Sequence, residues 1–129
     1  MTTTEPAVVH EAEAYYQGTG DAHRMLAAFR ATALYVCREL DPPAVPTIEV
    51  PSAGRWLQVF TTTARLTSVV GAEHTYMRLL GSEVLDLLLP LLPEGLGVIM
   101  DPHTSHMITW PPVPPIVNAW VLQLPGIRT

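Results

Sequence analysis

Apolar and polar positions change period several times along this chain, and each change marks an element. Residues 7–17 carry a helical pattern, with Glu11 and Glu13 outward and Tyr15 and Tyr16 turned toward the body. Gly18-Thr19-Gly20 ends that helix, because glycine takes the left-handed cap conformation without steric cost. Asp21 is placed to cap a second helix, in which Met25, Leu26, Phe29 and Arg30 follow the i, i+3, i+4 rule. The apolar run 33–37 reads as a buried strand stopped by Asp41-Pro42-Pro43.

Residues 47–50 and 55–61 then form a predicted hairpin, turned by Pro51-Ser52-Ala53-Gly54. In its second strand Trp56, Gln58 and Phe60 share one face, and Leu57 and Val59 share the other. Thr62 or Thr63 caps a helix to about residue 70. Ser82 is expected to cap a Leu-rich helix with Leu85, Leu88 and Leu89 on one face. Residues 96–100 and 107–110 are two further strands, joined by Asp101-Pro102-His103-Thr104-Ser105-His106. Beyond them Pro111-Pro112-Val113-Pro114-Pro115 is expected to be extended, and 116–124 strand-like. The sum is an α+β fold: a small mixed or antiparallel sheet of about five strands packed by two to four helices. All 129 residues fit one domain, with a Pro-rich C-terminal extension from about residue 111.

Composition narrows the function classes. The chain is 48% hydrophobic and only 15% charged, enough for a real core; a surface this dry suits either an interface or simply a compact, well-filled domain. Its net charge is -5, and its seven basic residues are all arginine and nowhere clustered. A phosphate backbone or an anionic bilayer needs a basic stripe, so neither nucleic acid nor membrane is an expected partner. The apolar run 84–92 is too short to span a bilayer and is broken by Pro90. The start, Met-Thr-Thr-Thr-Glu-Pro, has no basic or apolar leader, and the single Cys37 suits a reducing compartment. A cytoplasmic location is the expectation.

Residues 55 to 102 carry a family pattern. It runs through Leu57-Gln58-Val59-Phe60-Thr61-Thr62 and then Leu88-Leu89-Pro90-Leu91-Leu92-Pro93-Glu94-Gly95-Leu96-Gly97-Val98-Ile99-Met100-Asp101-Pro102. These segments resemble the SseB N-terminal-domain family, including its bacterial SseB-like members, and Leu34-Tyr35-Val36 is similar to the family's first strand. The resemblance implies a non-enzymatic domain, linked by name to secretion systems or serine-sensitivity phenotypes, and it brings no catalytic residue. Pro90 inside the Leu-rich helix and the His103/His106 loop depart from the pattern.

Few residues carry chemistry. His103 and His106 beside Asp101 have the donor types of a zinc site, but His-x-x-His lacks a third ligand at a defined spacing, and no metal or cofactor is predicted. Ser105 has no nucleophile elbow around it, and Glu73-His74 reads as an exposed connection. Cys37 reads as a small buried hydrophobe.

Two readings follow. The first is a non-catalytic accessory domain that docks a protein partner or self-associates as a homo-oligomer. The second is a small-molecule binder or small enzyme with a pocket built from Trp56, Tyr76, Met100, His103, His106, Met107 and Trp110. An immunity or antitoxin-like partner role is a third reading, motivated by size and acidity.

Overall fold

Two side chains set the first turns of the chain. The Asp21 carboxylate accepts the backbone N–H of His23 at 2.6 Å and of Arg24 at 3.2 Å, satisfying donors that a helix start leaves open. Gly18, at φ 84°, turns the chain out of the preceding helix. The computed structural model describes residues 5–40 and 42–111. Helix α1 spans Ala7–Tyr16 and buries Val8, Val9 and Ala12. Helix α2 spans Ala22–Ala31 and buries Met25 and Phe29. Tyr15 and Tyr16 stay exposed, a correction to the predicted orientation. The apolar stripe of α1 is carried by its first two turns, and the Tyr16 hydroxyl instead reaches the carbonyl of Met107.

Strand β1 (Ala33–Leu40) follows, then the two-residue β2 (Pro43–Ala44) and the hairpin of β3 (Thr47–Val50) and β4 (Gly54–Val59). The hairpin turn takes Ser52 and Gly54 at positive φ, and the Ala53 N–H donates to the Val50 carbonyl at 2.9 Å. Helix α3 (Thr63–Val70) starts at Thr62, whose hydroxyl accepts the Arg65 N–H at 3.1 Å. Strand β5 (Thr75–Leu80) leads into helix α4 (Gly81–Glu83), which widens into a π turn at Val84–Leu88 and tightens into a 3-10 turn at Leu89–Leu91. Pro90 explains the break: it has no N–H for the Asp86 carbonyl, and its ring would collide with that carbonyl in a regular helix. Strands β6 (Leu96–Met100) and β7 (Ile108–Trp110) complete the described elements.

The α+β class is confirmed: among the described residues there are four α-helices and seven strands, the strands in two sheets ordered β2-β1-β5 and β3-β4-β6-β7. β4 and β6 are parallel and the other pairs antiparallel. The sheets join where Tyr35 and Phe60 exchange backbone hydrogen bonds of 2.8 and 3.0 Å. β5 lies in a stretch to which the sequence pattern assigned no element, and it pairs with β1 from Ala33 to Arg38. Ser82 is not the cap of the Leu-rich helix. Leu80 holds that position, and its N–H donates to the Glu83 carboxylate at 2.8 Å. The predicted elements at 112–124, and Asp41 of the predicted stop, lie outside the described residues.

The core gathers Val8, Val9, Phe29, Leu34, Val36, Leu57, Val59, Val98 and Met100 between α1, α2 and the sheets. Trp110 closes it at β7, its ring 4.2 Å from that of Phe29. On the opposite face of β6, Gly97 leaves room for the Trp56 ring, which a Cβ would strike.

Candidate functional site

The chemistry predicted for the loop after β6 is used inside the fold. Asp101 is fully buried, in the left-handed region at φ 49°, which aspartate tolerates better than most residues. Its N–H donates to the Val59 carbonyl at 2.9 Å. Its carboxylate accepts the Thr61 N–H at 2.8 Å and the Thr61 hydroxyl at 2.5 Å, and lies 2.7 Å from His106 Nε2. Arg65 Nη1 stands 3.8 Å away. That guanidinium also donates to Thr61 Oγ1 at 2.7 Å and forks onto Glu5 at 2.8 and 2.5 Å.

One buried carboxylate thus ties the ends of β4 and β6 to α3, to the chain before α1 and to the loop entering β7. The fork from Arg65 holds the Glu5 carboxyl below its ordinary range, and Glu5 in turn pushes the Arg65 guanidinium up.

The seven residues of the predicted pocket are divided among separate places. Met100 is in the core and His106 is buried on Asp101. His103 is exposed, and Met107 is half-buried with its carbonyl engaged by Tyr16. Trp110 packs toward α2, whereas Trp56 lies on the other face of the same sheet, its indole N–H donating to the Ala53 carbonyl at 3.0 Å. Tyr76 is in the other sheet, edge-on to Tyr35 at 5.5 Å. His106 hydrogen-bonds to Asp101, which is not one of the seven. Among the described residues no group of three or more His, Cys, Asp or Glu is placed to hold a metal. Cys37 lies 3.9 Å from His74 Nδ1, and burial, helped by Glu39, pushes its thiol up, away from the reactive thiolate.

A different feature stands open. An apolar groove of about 360 Å³ lies where β1 ends, with Met77, Val45 and Leu88 inside and Leu40, Leu91 and Leu92 along its walls. Leu91 is 82% exposed and Leu40 58%, and Leu87, one helical turn before Leu91, is 62% exposed. Exposed leucines against an open apolar groove cost hydration free energy that a covering surface would recover, at about 25 cal/mol per Å². Sequence reasoning treated the Leu-rich run as one core face. The sequence held no signal of this exposure: Val84, Leu87, Leu88 and Leu91 fall on one i, i+3, i+4, i+7 stripe of a regular helix, and it is the passage through π and 3-10 turns at Pro90 that departs from that stripe. Among the described residues no helix is long and apolar enough to cross a membrane.

Fold and site together define an α+β domain with a closed polar hub and an open apolar groove. The chain belongs to the SseB protein N-terminal domain family, whose family model matches residues 8–113, from the first turn of α1 to just past β7. No curated protein and no solved structure matches the chain.

Proposed function

We propose that this domain is a non-catalytic protein-interaction module and that the groove beside Leu40 and Leu91 is its docking face. The exposure of Leu91 at the lip of that groove carries the reading. A side chain of this size gains most from a well-packed apolar contact, and interface energy concentrates in such buried anchors. The hub at Asp101 supports the same reading from the other side, because its hydrogen-bonding groups are engaged by the chain itself. The fork onto Glu5 and the contacts at Asp101 leave little of Arg65 for a substrate.

A photo-crosslinking amino acid in place of Leu91, with the full chain in its native cell, tests the reading. The expected result is a discrete protein adduct that is lost when Leu40→Asp is added. Absence of any intermolecular adduct would overturn it.

A further inference from the structure

We draw no further inference here: the strongest candidate, the apolar groove lined by Leu40, Met77 and Leu91 where β1 ends, belongs to the docking face already proposed, and nothing in the structure shows what covers it.

Discussion

At the scale of single residues, Asp101 has the largest consequences. A carboxylate with no exposed surface is tolerated only when its charge is met and its oxygens are bonded. Here two donors from Thr61, the His106 ring and the Arg65 guanidinium supply both conditions. Removing the acid leaves its partners facing each other with no anion between them. Asp101→Ala is therefore expected to cost about 3–5 kcal/mol, the range for breaking a buried pair from one side. Urea unfolding followed by circular dichroism measures it, and a loss below about 1 kcal/mol would mean that the hub adds little. His106 belongs to this same cluster, as a partner of the buried acid. The sequence announced both residues as chemically notable. It could not reveal their use, because Arg65 and Glu5 reach them from distant parts of the chain that no spacing rule connects.

At the scale of elements, the junction of α2 with α4 shows packing deciding against propensity. Gly81 opens α4, where alanine would ordinarily gain about 0.5–1 kcal/mol over glycine. The position is buried, however, and a Cβ there would press on the Phe29 carbonyl, with the carbonyl carbon only 2.6 Å away. Backbone cannot swing aside as a flexible side chain does. Gly81→Ala is thus expected to destabilise by about 1–3 kcal/mol, the range for overpacking, reversing the propensity sign. Thermal unfolding of the variant checks the sign, and a raised melting temperature would contradict it.

Other elements were plain in the sequence for local reasons. Asp21 and Thr62 cap as expected, and the Pro51–Gly54 turn closes the hairpin. β5 was not legible, since its alternation at Met77, Arg78 and Leu79 is only three positions wide. It becomes a strand by pairing along β1, from Ala33↔Leu80 to Arg38↔Thr75, a long-range contact that local pattern does not contain.

At the scale of the whole molecule, a polar cluster is buried at the ends of β4 and β6, and an apolar groove stands open where β1 ends. The hub fixes the parallel pair β4 and β6, and the helical segment after β5 is bent at Pro90 into π and 3-10 turns that raise Leu91 beside the groove. The low charge content raised an interface as one reading, and the groove proposed for it is visible only in the fold. β1, β2, β5 and the 3-10 turn meet there from four separate stretches of sequence.

Hydrogen–deuterium exchange of the full chain, alone and bound to the protein captured by the crosslinker at position 91, tests the proposed docking at this groove most directly. Amides of residues 38–40 and 88–92 are expected to exchange more slowly in the complex, while those on the outer faces of α1 and α3 keep their rates. Rates at the groove that the bound protein leaves unchanged, or protection that develops at another face instead, would contradict it.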